Sequence, residues 1–398
     1  MTRPRKDLSL RALLAAACSM LALNPAFSQE FETTVIGHGG PGTTPPTWVS
    51  MSGFSGEAAQ VLEFDLYVQG FGFTNADGAQ YLISGSNNGN LQGRVTDRVN
   101  KNVLVSKGYS GGSLRRQTHA FADDFVEALG RKGIALTKIA FRIEFAPGRD
   151  AFDEIYVADF DGHDAKAVTH DHVLVAAPCW IPGRFALQYG SYKLGNSAIF
   201  SHDLSTGTRK TVAWYGGSNM SPAVSPDGRK VAMILSKDGW PDLYVVDIDG
   251  ANLKRLTKSP EDESGPCWSP DGNWICFATK LKERRSLCKV PAWGGPAQRI
   301  PTTGVLNPTE PDWSPDGKWI AFTAQMGGFE ICVVPSQGGN VTELVPGEDP
   351  SWSPNSRTLI FSRRSGGGHL SLLDVPTKQV KDVPRISSGE NSQPSWAR

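Results

Sequence analysis

One tripeptide, Pro-x-Trp, marks six registers across the carboxyl-terminal half of this sequence, and it constrains the fold more than any other feature. The registers are Pro178-Cys179-Trp180, Pro222-Ala223-Val224 with Val in place of Trp, Pro266-Cys267-Trp268, Pro311-Asp312-Trp313, Pro350-Ser351-Trp352 and Pro394-Ser395-Trp396. The third position therefore returns after 44, 44, 45, 39 and 44 residues. A repeat of about 40 to 50 residues is the signature of a β-propeller, in which each repeat supplies one blade.

Each repeat carries the same grammar. After Trp313 comes Ser314-Pro315-Asp316-Gly317, where Pro presets φ and Asp-Gly supplies the positive φ of a tight hairpin turn. Lys318-Trp319-Ile320-Ala321-Phe322 then alternates as a strand. A further strand, such as Leu243 to Val246, ends at Asp247-Ile248-Asp249-Gly250, a second hairpin turn ahead of a short outer strand near Leu253 to Leu256. Four strands per repeat make one blade.

The repeat that opens at Trp396 is followed by no strands of its own. Ahead of the first repeat, Lys138-Ile139-Ala140-Phe141 copies the strand Ile320-Ala321-Phe322, and Glu154 to Gly162 copies Asp242 to Gly250. Tail and head are thus expected to share one blade. The pattern predicts a mainly β chain: a six-bladed β-propeller over 137–398, closed tail to head, preceded by a small α/β domain over 29–136.

Residues 1–28 read as a secretory signal peptide. Arg3, Arg5, Lys6 and Arg11 form a basic start, Ala12 to Leu23 is apolar, and Ala26-Phe27-Ser28 offers small residues for cleavage. A lipoprotein signal ending at Cys18 fits less well, because Leu is absent three residues before it. No other stretch holds the roughly 18 continuous apolar residues that span a bilayer. The whole chain balances 40 basic against 40 acidic residues, and 29–398 holds 36 against 39, so nothing attracts nucleic acid electrostatically. Five cysteines follow the signal: Cys179, Cys267, Cys276, Cys288 and Cys332. Their places on blade strands favour free thiols, with a Cys276 to Cys288 disulfide as the alternative in an oxidising compartment.

Between Gln29 and Leu136 the pattern is mixed. Strands are expected at Tyr81 to Ser84 and Asn102 to Ser106. A helix is expected over Ser113 to Gly130, where Leu114, Ala120, Phe121, Phe125, Val126 and Leu129 fall at helical spacing, Ser113 caps the start and Gly130 the end. Ala58 to Val68 fits either a strand, through alternating Leu62, Phe64, Leu66 and Val68, or a helix that stops at Gly70.

A signal peptide, a small α/β domain and Pro-x-Trp-Ser-Pro-Asp-Gly repeats closed by a final Pro-Ser-Trp resemble the TolB family. The junction is the specific part: Ser110, Leu114-Arg115, His119, Ala122-Asp123, Phe125, Glu127, Leu129-Gly130 and Lys138 to Phe141 are similar to the family's helix and the lead into its first blade. The chain departs by shortening the connection after Gly70 and by carrying Gly39-Gly40-Pro41-Gly42. The resemblance tips Ala58 to Val68 towards helix. It implies a periplasmic adaptor of the Tol-Pal system, a monomeric scaffold without cofactor or catalysis, which supports outer-membrane integrity and envelope constriction at cell division. It implies that one mouth of the propeller binds the peptidoglycan-associated lipoprotein Pal through residues ahead of the repeat prolines, here Ser218, Ser221, Ser264, Glu310, Asp349 and Gln393. Loops leading into innermost strands converge on the axis, where acidic Glu310 and Asp349 suit basic partner side chains. The resemblance further implies TolA binding by the amino-terminal segment, here Gln29, Glu30, Phe31, Glu32, Thr33, Thr34, Val35 and Ile36, and an extended peptide suits strand addition.

Other chemistries fit less well. Gly108-Tyr109-Ser110-Gly111-Gly112 matches the G-x-S-x-G of a nucleophile elbow. A domain of about a hundred residues is short for a sheet that must also present an acid and a base, and His119 is its only His after Ser110. His163, His170, Asp171 and His172 crowd one stretch without the spacing of a metal ligand set. Asp247-Ile248-Asp249-Gly250 lacks the acidic twelfth residue of a calcium loop. The repeat Trp residues suit packing between blades rather than stacking on sugars. The alternative to an adaptor is a secreted propeller that binds or processes glycans.

Overall fold

The structure, a computed structural model, describes residues 40–145, 151–281 and 284–398. The expected signal peptide, Cys18 and the segment Gln29 to Ile36 lie outside the described residues. No helix among the described residues is long and apolar enough to cross a membrane.

Six four-stranded antiparallel sheets form the six blades of the propeller. Blade 1 joins Glu390–Trp396 to Lys138–Phe145, Phe152–Asp159 and Lys166–Ala167, so tail and head share it as the repeats predict. The inner strands of blades 2 to 6 are Val175–Trp180, Asn219–Val224, Glu263–Trp268, Thr309–Trp313 and Glu348–Trp352.

Each Ser-Pro-Asp-Gly turn ties itself together. In blade 5, Ser314 Oγ donates to Asp316 Oδ1 at 2.7 Å and accepts the N–H of Trp319 at 3.0 Å, while Asp316 Oδ1 accepts the N–H of Lys318 at 3.1 Å. Gly317 sits at φ +75°, a conformation that costs Gly nothing. Ser225 with Asp227 and Ser269 with Asp271 repeat the arrangement; blade 6 replaces Asp by Asn355.

Every inner strand is broken at one place, and this was not foreseen from the repeats. Two residues of the inner strand oppose one of the second strand, a β-bulge: Ala177 and Pro178, Ser221 and Pro222, Gly265 and Pro266, Glu310 and Pro311, Asp349 and Pro350, Gln393 and Pro394. A bulge spares the ladder the N–H that Pro lacks, which is why Pro recurs inside the inner strand, the edge of each four-stranded sheet. The residue before it is left-handed in all six blades, φ lying between +50° and +56°.

The amino-terminal region is a five-stranded sheet with two helices. Its elements are β1 (Thr47–Ser52), α1 (Gly56–Tyr67), β2 (Phe71–Phe73), β3 (Tyr81–Ser86), β4 (Leu91–Asp97), β5 (Val103–Tyr109) and α2 (Leu114–Ala128), in the sheet order β2-β1-β3-β4-β5. The ambiguous segment Ala58 to Val68 is thus helical. Ser113 caps α2, its Oγ accepting the N–H of Arg116 at 3.2 Å, and Gly130 beyond the helix has φ +72°. Leu62, Leu66, Phe121 and Phe125 pack into one continuous core with Ile139, Phe141, Phe160 and Trp396 of blade 1 and Ile360 and Leu372 of blade 6.

All five cysteines among the described residues are free. Cys276 faces Lys289 across its strand pair, and Cys288 faces Phe277, so the two thiols enter different cores on opposite faces of blade 4. His163, His170 and His172 are exposed, and Asp171 is engaged by Lys193 and Arg209.

Candidate functional site

The bulges line a central channel and pass hydrogen bonds from blade to blade. The Glu310 carboxylate of blade 5 accepts the N–H of Asp349 at 3.2 Å and the Thr323 hydroxyl at 2.7 Å. The Asp349 carboxylate of blade 6 accepts the N–H of Gln393 at 3.3 Å, and Gln393 Oε1 of blade 1 accepts the N–H of Ala177 in blade 2 at 2.9 Å. Each side chain therefore caps the strained residue of the next blade. The chain of contacts stops where the bulge residue is Ala177, too short to reach onward.

One layer deeper, the middle residue of Pro-x-Trp repeats the device. Asp312 accepts the N–H of Trp352 at 2.7 Å, Ser351 that of Trp396 at 3.1 Å, and Cys179 Sγ that of Val224 at 3.4 Å. The indole of Trp180 reaches back to the Ser395 carbonyl at 3.1 Å, and that of Trp268 to Ala223 at 2.8 Å. The third position thus fastens blade to blade at Trp180, Val224, Trp268, Trp352 and Trp396, whereas the Trp313 indole turns back to Gly317 O of its own blade at 3.2 Å.

The channel encloses about 800 Å³. Five of the six expected mouth residues line it: Ser221, Ser264, Glu310, Asp349 and Gln393. Ser218 lies off the lining, with its N–H given to Ser236 Oγ at 2.7 Å. Sequence reasoning missed Ala177, Gly265, Arg285, Asp312, Phe329 and Arg398, which also line it. The residue immediately before each repeat Pro was the available signal for the first two.

Charges concentrate on one side. Burial, and then the Glu310 and Glu348 carboxylates, push the Asp349 carboxyl well above its ordinary value. Glu348 is held by Arg364, whose guanidinium lies 4.8 Å from the Phe329 ring centre. In the adjoining blade 4, Arg285 donates to Ser264 Oγ at 3.1 Å. Deeper in, Arg398 pairs with Asp312 and donates to the Trp352 carbonyl at 3.1 Å. Burial raises the Asp312 carboxyl, with Arg398 pulling the other way. The result is a polar funnel, acidic on the blade 5 and 6 side.

The G-x-S-x-G segment presents Ser110 exposed at the end of β5. His119 is turned away into the core, its Nδ1 2.7 Å from Asp65 Oδ2, so the base expected beside a nucleophile is committed elsewhere.

The family model described as the TolB β-propeller domain matches residues 126–398. The Tol-Pal system protein TolB of Bordetella pertussis is 30% identical over 232 residues, which is 56% of this chain and 52% of that protein. The same protein of Bordetella bronchiseptica matches equally. The chain spans about half the length of the curated relatives it matches. The crystal structure of TolB from Acinetobacter baumannii superposes with a TM-score of 0.80 at 24% identity, covering 90% of this chain and 98% of that one. A putative TolB from Agrobacterium tumefaciens gives 0.52 at 20% identity, over 64% and 91%. At these identities the structural likeness speaks for the fold alone.

Proposed function

Because this chain belongs to the TolB β-propeller family, we propose that it is a non-catalytic, protein-binding adaptor of the Tol-Pal system in the periplasm. It binds a Pal-like peptidoglycan-associated lipoprotein at the propeller mouth and so supports outer-membrane integrity and constriction at division. The observation that carries this reading is the convergence of Ser221, Ser264, Glu310, Asp349 and Gln393 on one channel wall, built on fixed strands rather than mobile loops. Relatives over the matched stretch bear the Tol-Pal name, which selects the system. Gln29 to Ile36 would contact TolA.

The test is calorimetric titration of the full chain with the periplasmic domain of a Pal-like lipoprotein from the same cell. Parent protein binds, and the Glu310→Lys, Asp349→Lys double variant loses at least tenfold in affinity while keeping its circular dichroism spectrum. Binding unchanged by the variant moves the site off the mouth. No binding by the parent, together with retention on a peptidoglycan or glycan column, replaces the adaptor by the glycan-binding propeller.

A further inference from the structure

Away from the channel, three ionisable side chains from three elements meet where the helices lean on blade 1. His119 of α2 places Nδ1 2.7 Å from Asp65 Oδ2 of α1, and Nε2 3.5 Å from Asp161 Oδ2 in the turn that follows Phe152–Asp159. Their side chains are 4%, 0% and 2% exposed. Arg115 of α2 pairs with Asp161 and, at 3.0 Å, with Glu57 of α1. Phe160 walls the cluster, its ring edge-on to His119 at 5.7 Å and stacked on Trp396 at 6.2 Å. Asp65 Oδ1 and His119 Nε2 are buried without a hydrogen-bond partner.

We propose that this cluster is a one-proton clamp: a second proton on the His119 ring, between Asp65 and Asp161, fastens the two helices to blade 1, and its loss, which leaves one ring nitrogen bare against a carboxylate, loosens that junction. Charge balance requires it. With Asp65 and Asp161 ionised and Arg115 charged, one negative charge stays uncompensated in an apolar pocket, which is costly. Asp123, also on α2 and facing His119, cannot be counted as a spare acceptor, because its carboxylate takes the N–H groups of Ala135 at 2.8 Å and Leu136 at 3.1 Å.

The titration agrees in sign. Burial lifts Asp65 to about 7, against the pull of His119. Burial alone would lower His119, but Asp65 and Asp161 outweigh it and raise the imidazole. Both groups hold their proton more tightly in the folded chain than in the unfolded one. The contribution is therefore fully present below the ordinary value of each group, declines first as pH rises towards 7, and is gone once pH has passed the raised His119 value.

The same three residues offer ligand atoms within 4.8 Å of one another, as a metal set would. Two facts favour the proton. The carboxylates flank opposite nitrogens of one imidazole, so they do not converge on one coordination point. Arg115 already delivers a cation to Asp161.

Hydrogen exchange on the full chain at about pH 6 and about pH 8.5, corrected for intrinsic rates, tests the clamp. One pKa unit corresponds to tenfold in the opening equilibrium, so amides of Gly56–Tyr67, Leu114–Ala128 and the 159–163 turn should lose about tenfold protection at the higher pH, with the Phe329–Pro335 strand of blade 5 unchanged. His119→Gln, which still donates to Asp65 but carries no charge, should abolish that difference. Asp65→Asn removes the excess charge and should stay protected at both pH values, which covers failure of the first variant to fold. Unaltered pH dependence in a folded variant, or a His119 NMR titration midpoint at or below about 6.5, overturns the clamp. So does protection restored to the parent at pH 8.5 by millimolar zinc but not to His119→Gln, which would make the site a metal's.

Discussion

Trp268 and Trp352 hold the same register in blades 4 and 6, are 7% and 1% exposed, and differ in one bond. Trp268 Nε1 donates to Ala223 O of blade 3 at 2.8 Å, whereas Trp352 Nε1 is buried with no acceptor. Replacing either indole by Phe forfeits apolar contact worth about 1 kcal/mol. Trp268→Phe also gives up an inter-blade hydrogen bond, about 1 kcal/mol net. Trp352→Phe instead removes a buried donor whose desolvation was never repaid, a relief of about 1 kcal/mol or more. The first variant should lose about 2 kcal/mol and the second about 0 or less, although Trp352 is the more deeply buried. Equilibrium urea unfolding followed by far-ultraviolet circular dichroism, at constant m, reads the difference as separate midpoints. Equal losses, or the reverse order, would show that ring volume and not the indole N–H governs the fastening.

Glu263, raised by burial to about 7, accepts the N–H of Leu243 at 2.9 Å from the neighbouring blade. Its folded value exceeds its unfolded one, so the parent should lose stability as pH rises through 7, and Glu263→Gln should flatten that slope in urea midpoints measured from about pH 5 to 8. Arg398→Ala strips the cation from buried Asp312 and should cost about 1 to 3 kcal/mol, recovered in part by Arg398→Lys or by lowering the pH. Thiol titration in denaturant should count Cys179, Cys267, Cys276, Cys288 and Cys332 as reactive without reductant, whereas native Cys276 and Cys332, both 0% exposed, should react slowly. A bridged Cys276 would refute the opposed-face geometry.

The propeller was legible because its period is carried by residues that act locally. Pro and Asp-Gly make turns whatever surrounds them, and a copied strand at Lys138 to Phe141 betrays the shared blade. The bulge was not legible, because its left-handed residue is set by register against the second strand. Ala177, Ser221, Gly265, Glu310, Asp349 and Gln393 share nothing but the following Pro. Ser218 and Ser264 stand four and two residues ahead of their prolines, off the bulge that Ser221 and Gly265 occupy. Likewise α1 stayed ambiguous because Leu62, Phe64, Leu66 and Val68 fit both periods, and only packing against α2 and the sheet decides between them. His119 was readable as a helix residue, as a junction residue similar to the TolB family and as the lone His after Ser110, but not as half of a buried pair. Its partner Asp65 lies 54 positions earlier, and no local pattern announces a contact at that range.

The shared blade carries a kinetic consequence. Arg142 and Ser392, hydrogen-bonded across its two inner strands, stand 250 positions apart. At ordinary elongation rates that interval is roughly ten seconds to a minute, during which Lys138–Phe145 has a bare edge and no mate. Such an edge invites pairing with another nascent chain. Escort by a holding chaperone, or delivery unfolded through a membrane pore, would keep that edge out of reach until the late strand arrives. The ring is therefore sealed in a single late event that fastens the blades and the helices together, which makes the yield of correctly folded protein more sensitive to damage in its last strand than to equal damage in any middle one.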